Sequence, residues 1–354
     1  MASLTVPVRL SAVAVMLALV LCGTLPEGSR AQCPSMCTCA DGTVSCVGQN
    51  LKEIPKDIPA DTTTLLLHDN AITEAADLQF LSLKSLKVLN ISKNQLYMVE
   101  SLAYEGLPGL ESLDLSDNAI MQFDLNRSPA LQLPFLTELR LNENKITSIP
   151  DNAFTGLPKM QKLDLSRNGI FALSDVAFST DHALTSLDLS GNYMIALFPD
   201  LFVQLPNLRE LRLHDNHIFT LAPGAFRGLE NLKSLTLAGN KLSVPVAEPF
   251  RNLTGLLDVT LANNSWVCEA VCELLPVQAL ISARSIYKQQ FLCASGEPES
   301  LKGQYVEDIR VPKDDLGCLE PEMFPGMSGR SGSRAISATT LVAALAFLCY
   351  NLLM

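Results

Sequence analysis

Histidine is scarce: four residues in 354, at His68, His182, His214 and His217, leave little for acid–base or metal chemistry. His214 and His217 stand close enough to share an ion, but no third ligand accompanies them. Both are read as turn residues, and no metal is expected. G-x-S-x-G, H-E-x-x-H and P-loop patterns are missing, which removes common hydrolase, metalloprotease and nucleotide-binding signatures. Neither catalysis nor a cofactor is expected. Basic residues are the minority charge, 26 Lys and Arg against 37 Asp and Glu. That balance disfavours nucleic acid, heparin-like polymers and anionic lipid as principal partners.

Leucine, by contrast, recurs in a fixed rhythm. Between Leu65 and Trp266 the pattern L-x-x-L-x-L-x-x-N-x-L ends in Asn70, Asn94, Asn118, Asn144, Asn168, Asn192, Asn216, Asn240 and Asn264. Each asparagine follows the last by 24 residues, except Asn144, which comes 26 after Asn118. Phe80, Tyr104, Phe154, Phe178, Phe202, Phe226 and Phe250 each sit ten residues after a repeat asparagine. The repeat beginning near Leu110 lacks the aromatic and carries the two extra residues. The pattern resembles the leucine-rich-repeat signature.

The chemistry explains why such a unit must repeat. In Leu113-Asp114-Leu115 alternation sends two leucines inward and Asp114 outward, as a short parallel strand requires. The chain then turns sharply while its backbone groups leave water, and an amide side chain can pair with both donors and acceptors. Stacked copies are therefore expected to form an asparagine ladder. A lone repeat would expose its leucines and strand edges, so it needs neighbours, and the two terminal repeats need lids.

The termini fit export. Residues 1–31 carry Arg9, an apolar run from Leu10 to Leu21 and Ser29-Arg30-Ala31, the layout of a secretory signal peptide cleaved after Ala31. Of ten cysteines, Cys22 lies in that signal and Cys349 in the tail. The other eight form two clusters: Cys33, Cys37, Cys39 and Cys46 before the repeats, and Cys268, Cys272, Cys293 and Cys318 after them. An oxidising compartment favours disulfides over zinc, and spacing alone leaves three pairings open in each cluster. Residues 320–334 are small and polar, and 335–354 form an apolar tail with no basic residue after it. That composition is expected of a GPI-attachment signal with Ser331 as the attachment site, Ser328 and Gly329 being rivals; a membrane-spanning tail is the alternative. Removing signal and tail takes away Arg9, Arg30, Arg334 and Glu27, which leaves 23 basic and 36 acidic residues, a balance of −13.

Both cysteine clusters stand where lids are needed. Cys33-Pro34-Ser35-Met36-Cys37-Thr38-Cys39 with Cys46 resembles the N-terminal cap of extracellular leucine-rich-repeat proteins. The resemblance implies Cys33–Cys39 and Cys37–Cys46 pairing. Asn264-Ser265-Trp266-Val267-Cys268 is similar to the family's C-terminal entry, departing from it at Ser265 and in the three residues between Cys268 and Cys272. Cys268–Cys293 and Cys272–Cys318 pairs are implied there. Trp266 is read as the wedge between last repeat and cap. The layout expected is an α/β leucine-rich-repeat solenoid, a horseshoe with a parallel concave sheet. It comprises an N-terminal cap at 32–60, nine repeats at 61–266 and a C-terminal cap at 267–319. Among relatives the layout is most similar to the GPI-linked variable lymphocyte receptors, and the Nogo receptor group shares it.

The outward strand positions would form columns on the concave face. One runs Leu66, Asn90, Asp114, Arg140, Asp164, Asp188, Arg212, Thr236 and Thr260; the column before it runs Thr64, Val88, Ser112, Glu138, Lys162, Ser186, Glu210, Ser234 and Asp258. Asp114, Glu138, Arg140, Lys162, Asp164, Asp188, Glu210 and Arg212 are the candidate ligand-binding residues, with Arg140 between Asp114 and Asp164. The alternative is a charge ladder that only keeps the sheet soluble. Sequons begin at Asn90, Asn126, Asn252 and Asn263, Asn126 being the poorest because Pro129 follows its sequon. Asn90 projects from the concave sheet, so a glycan there would confine a ligand to the later repeats, around Glu138 to Arg212. Two uses are expected of such a body. One is a cell-surface receptor for a protein or glycan, in an immune setting; the other is an adhesion or matrix-organising protein that self-associates or binds by its flanks. A receptor held by a lipid anchor would need a co-receptor, clustering or shedding to signal.

Overall fold

The computed structural model describes residues 33–75, 80–97, 106–122, 133–178, 183–243, 248–250, 253–268, 292–296, 302–305 and 308. The expected signal peptide, stalk and tail lie outside them, as do Tyr104, Asn126, His182, Asn252, Cys272, Cys318 and Ser331.

Eleven strands join in one sheet in chain order. Thr38–Ala40 and Thr43–Ser45 form an antiparallel hairpin, and Thr43–Ser45 pairs in parallel with Thr64–Leu66. Eight more three-residue strands follow in parallel: Val88–Asn90, Ser112–Asp114, Glu138–Arg140, Lys162–Asp164, Ser186–Asp188, Glu210–Arg212, Ser234–Thr236 and Asp258–Thr260. From Thr43–Ser45 onward each strand of this sheet buries its central residue and turns its neighbours outward, whereas Thr38–Ala40 is exposed throughout. Leu65, Leu89, Leu113, Leu139, Leu163, Leu187, Leu211, Leu235 and Val259 therefore make one buried row. A slip of one residue would turn that row to solvent, which pins the register.

Behind the sheet, Phe80, Phe154, Phe178, Phe202, Phe226 and Phe250 are buried, and Phe154 stacks on Phe178 with ring centroids 5.5 Å apart. Two small parallel pairs follow on the returning limb, Ser148–Ile149 with Ala172–Leu173 and Ala196–Leu197 with Thr220–Leu221. Burying one leucine or phenylalanine contributes about 1.5–3 kcal/mol, and the adjoining repeats supply most of the cover.

The asparagine ladder is continuous. Asn168 Nδ2 donates to the carbonyls of Leu141, Leu165 and Ser166 at 2.9, 3.1 and 3.2 Å, and its Oδ1 accepts the Ile146 N–H at 3.0 Å. Each amide thus ties its own turn to the turn before it. The residue preceding every ladder asparagine, from Asp69 to Asn263, has a left-handed backbone with φ between 50° and 68°. Glycine fills that position at Gly191 and Gly239, where the conformation carries no Cβ penalty.

Both ends are closed by cysteine modules. Cys33 is bonded to Cys39 and Cys37 to Cys46, and the Asn70 amide donates to the Cys46 carbonyl at 2.8 Å, extending the ladder into the cap. At the other end Trp266 is buried, Cys268 is bonded to Cys293, and Val267–Cys268 pairs with Ser295–Gly296.

Candidate functional site

The registers Asp114↔Arg140↔Asp164 and Asp188↔Arg212↔Thr236 place the column residues side by side on the outer sheet face. Four members share a local device. Asn90, Asp114, Asp164 and Asp188 each turn Oδ1 back to accept both the N–H and the hydroxyl of the serine two residues on. The turn satisfies backbone donors at the strand end and fixes the side chain's direction.

The other side-chain atom stays free to act across strands. Asp114 Oδ2 lies 3.5 Å from Arg140 Nη1, and Asp188 Oδ2 lies 3.3 Å from Arg212 Nη1. Each arginine is held again on its own strand, Arg140 Nη2 by Glu138 at 2.7 Å and Arg212 Nη2 by Glu210 at 2.5 Å. Two equivalent Glu-Leu-Arg clamps result. Partial burial works against each guanidinium, but Glu138 and Asp114 around Arg140, and Asp188 and Glu210 around Arg212, outweigh it and raise both pKa values. Both arginines stay charged at any physiological pH.

The expected position of Arg140 between two aspartates holds in the sheet register, but its guanidinium leans to one side. It pairs with Asp114 and with Glu138, leaving Asp164 to its serine turn. Lys162 is exposed on the same central strand, and among the described residues neither Lys162 nor Asp164 joins an ion pair. The strand between the clamps therefore carries charge of both signs outside any ion pair among the described residues. At the C-terminal end His214 Nδ1 meets the Thr236 hydroxyl at 3.1 Å, while a buried Asp258 oxygen has no hydrogen-bond partner among the described residues. Carboxylates dominate the two columns: Asp114, Glu138, Asp164, Asp188, Glu210 and Asp258 face Arg140, Lys162 and Arg212.

Asn90 sits like Asp114 and Asp188. With Oδ1 held by Ser92, its Nδ2 takes the outward place that Oδ2 occupies in the aspartates. Asn263 is exposed in the left-handed turn position. A second surface escaped the sequence reading. Tyr97, Met121, Phe171, Tyr193 and Ile195 are exposed one or three residues after a ladder asparagine. Scoring those two offsets, rather than the strand positions alone, would have found them.

The family model for leucine-rich repeats matches residues 61–120 and overlapping windows 134–194, 160–218, 182–242 and 206–266. The leucine-rich-repeat N-terminal domain matches residues 32–59. Leucine-rich repeat-containing protein 3B from Homo sapiens is 40% identical over 102 residues, covering 28% of this chain and 39% of that protein. Trophoblast glycoprotein from Macaca fascicularis is 38% identical over 94 residues, covering 25% of this chain and 22% of that protein. The chain thus covers well under half the length of these curated relatives. Among solved structures, human 5T4 (Wnt-activated inhibitory factor 1, trophoblast glycoprotein) superposes with a TM-score of 0.56 at 28% identity, over 79% of this chain and 98% of that one. A chain of the octameric complex of Latrophilin 3, Unc5D and FLRT2 gives 0.56 at 25% identity, over 81% of this chain and 100% of that one. The TLR13–ssRNA13 complex gives 0.55 at 33% identity, over 59% of this chain and 30% of that one.

Proposed function

The chain belongs to the leucine-rich-repeat family, and from that premise we propose that it is an extracellular recognition receptor binding a protein or glycan on the concave sheet. The observation that carries this reading is the strand Lys162–Asp164, whose two charges join no ion pair among the described residues, between two clamped arginines. In-register strands present those groups at fixed spacings of roughly 4.8 Å, which suits selective contact with a macromolecular surface. Solved neighbours include complexes with protein and with ssRNA. The acidic excess on this face favours protein or glycan over a polyanion here. Cysteine caps and the relatives support an extracellular setting. Within that setting we propose an immune role, recognition of antigen or microbe, by a protein held to the outer membrane face through a GPI anchor at Ser331. Release of the intact chain from cells by a phosphatidylinositol-specific phospholipase tests the anchor, and retention on the cells rejects it.

The face itself is tested by one substitution. Asp164-Leu165-Ser166 differs from a sequon in its first residue, so Asp164→Asn invites a glycan onto the middle of the sheet without removing an ion pair. Tetramers of the chain are applied to an array of extracellular proteins and glycans. Hits are expected to vanish with Asp164→Asn and to return after enzymatic deglycosylation. Hits indifferent to that glycan would place binding elsewhere. A second reading, adhesion through self-association, is favoured by the exposed apolar side chains beside the sheet.

A further inference from the structure

We infer that the flank following the ladder asparagines is a homotypic interface, on which a second copy of this chain docks. The stripe is built from residues one and three positions after each ladder asparagine. These flank a buried residue, such as Ile120, Ile170, Met194 or Ile218, so alternation brings them to one side. Backbone bonds hold them in rows: Phe171 N–H to the Thr147 carbonyl at 3.0 Å, Phe219 to Ile195 at 3.0 Å, and Tyr193 to Ile170 at 2.9 Å. Tyr193 also meets the His217 ring edge-on, with centroids 5.4 Å apart.

Area and charge together select the occupant. Tyr97, Met121, Phe171, Tyr193 and Ile195 are 44%, 55%, 59%, 56% and 40% exposed. Taking roughly 200 Å² for each fully exposed large side chain, they offer on the order of 500 Å² of apolar surface. A standard interface takes about 800 Å² from each partner, and homodimer interfaces are about 65% apolar, so the stripe matches one half of such a contact. An apolar area of this order is the size of the largest patch on an ordinary monomer, which is often functional.

A two-fold contact also sets each group against a copy of the same surface, which penalises like charge. This chain carries 37 acidic residues, yet the stripe positions from Gln95 to Phe219 include none. They read Gln95, Tyr97, Ala119, Met121, Lys145, Thr147, Gly169, Phe171, Tyr193, Ile195, His217 and Phe219. Carboxylates return at once on the border, at Asp117, Glu143 and Asp215. Apart from Glu74, whose Oε2 accepts from the Tyr97 hydroxyl at 3.4 Å at the N-terminal end of the strip, an acid-rich chain can meet itself here without facing its own carboxylates.

The test uses the full chain, expressed in secretory cells in two differently tagged forms, with one form captured and the other measured. Wild-type copies are expected to be captured together. Phe171→Asp and Ile195→Asp, each adding a carboxylate to both sides, are expected to lower joint capture at least tenfold. Leu257→Asp, at a 71% exposed leucine off the stripe, is expected to leave it unchanged. Arg140→Ala separates this interface from the concave site, because joint capture should survive it. Delivery of each variant to the medium or cell surface at wild-type yield shows that it folds, and Phe171→Ser repeats the test with a milder change. Absence of wild-type joint capture, or capture indifferent to both Phe171 variants and to Ile195→Asp, overturns the inference.

Discussion

Asn192 is buried with all its amide groups in use: Nδ2 donates to the carbonyls of Leu165, Leu189 and Ser190, and Oδ1 accepts the Ile170 N–H. Asn192→Ala leaves several buried backbone groups unpaired, and Asn192→Asp keeps the acceptor but loses both donated hydrogens. Either variant is expected to cost about 2–4 kcal/mol, read as a lower urea midpoint, since each orphaned buried group costs about 1–3 kcal/mol. Arg140 presents the opposite case. Its side chain is about half exposed, which lets water screen both pairs although Asp114 and Glu138 are more covered, so Arg140→Ala should change stability by about 1 kcal/mol while abolishing ligand capture. A loss of several kcal/mol in the melt would recast the clamp as structural. Asn90 yields a chemical prediction: with Nδ2 directed outward, its sequon should be occupied, and intact-mass analysis should lose one glycan on Ser92→Ala. An unmodified Asn90 would remove the reason for confining ligands to later repeats. These residues also show what was legible in the chain. The ladder asparagines, the inward leucines and the column membership could be read because burial and a fixed period decide them by many kcal/mol together. The lean of Arg140 toward Asp114 and Glu138 could not, because choosing among exposed rotamers turns on about 1 kcal/mol and on neighbours two residues and one strand away.

At the scale of elements, the strands are only three residues long, and the turn after each adopts a left-handed residue that is glycine in two repeats of nine. Asp69, Asp117, Asp215 and Asn263 join the two glycines as residue types that tolerate that conformation, while Lys93, Glu143 and Arg167 hold it without that help, each beside a ladder amide. The apolar stripe was hidden in the sequence. Its members alternate with buried residues outside the strand motif, and hydrophobic side chains there read as part of the leucine pattern. The C-terminal closure is the element most open to test. Trp266 covers the last repeat, and the Cys268–Cys293 bond closes a loop with a sequence separation of 25. Loop-closure entropy for that length is worth about 3–4 kcal/mol, and truncating a buried tryptophan costs about 3–5 kcal/mol. Trp266→Ala is therefore expected to destabilise the chain as much as any interior leucine truncation, with calorimetry as the measure. A variant melting within a degree or two of wild type would mean that the wedge lies elsewhere.

At the scale of the whole molecule, strand pairing in the main sheet runs, among the described residues, from each repeat to its neighbours: Ser186–Asp188 pairs with Lys162–Asp164 and Glu210–Arg212. Stability should then behave as a sum of repeat terms and neighbour terms, without a single nucleus that all parts share. A cut in one place is felt nearby and decays with distance. Leu187→Ala, in the buried row of that middle strand, removes about 2–5 kcal/mol of packing from one repeat and its two interfaces. Amide hydrogen exchange should quicken over the strands at 162–164, 186–188 and 210–212 and remain near wild type at 64–66. Cys268→Ser should instead loosen the array from its C-terminal end, with Asp258–Thr260 losing protection first and Ser234–Thr236 next. The two variants thus produce spatially opposite patterns from similar energetic losses. Uniform loss of protection along the whole sheet in both would show one cooperative body. In that case binding on the concave strands could not be separated from the integrity of the caps.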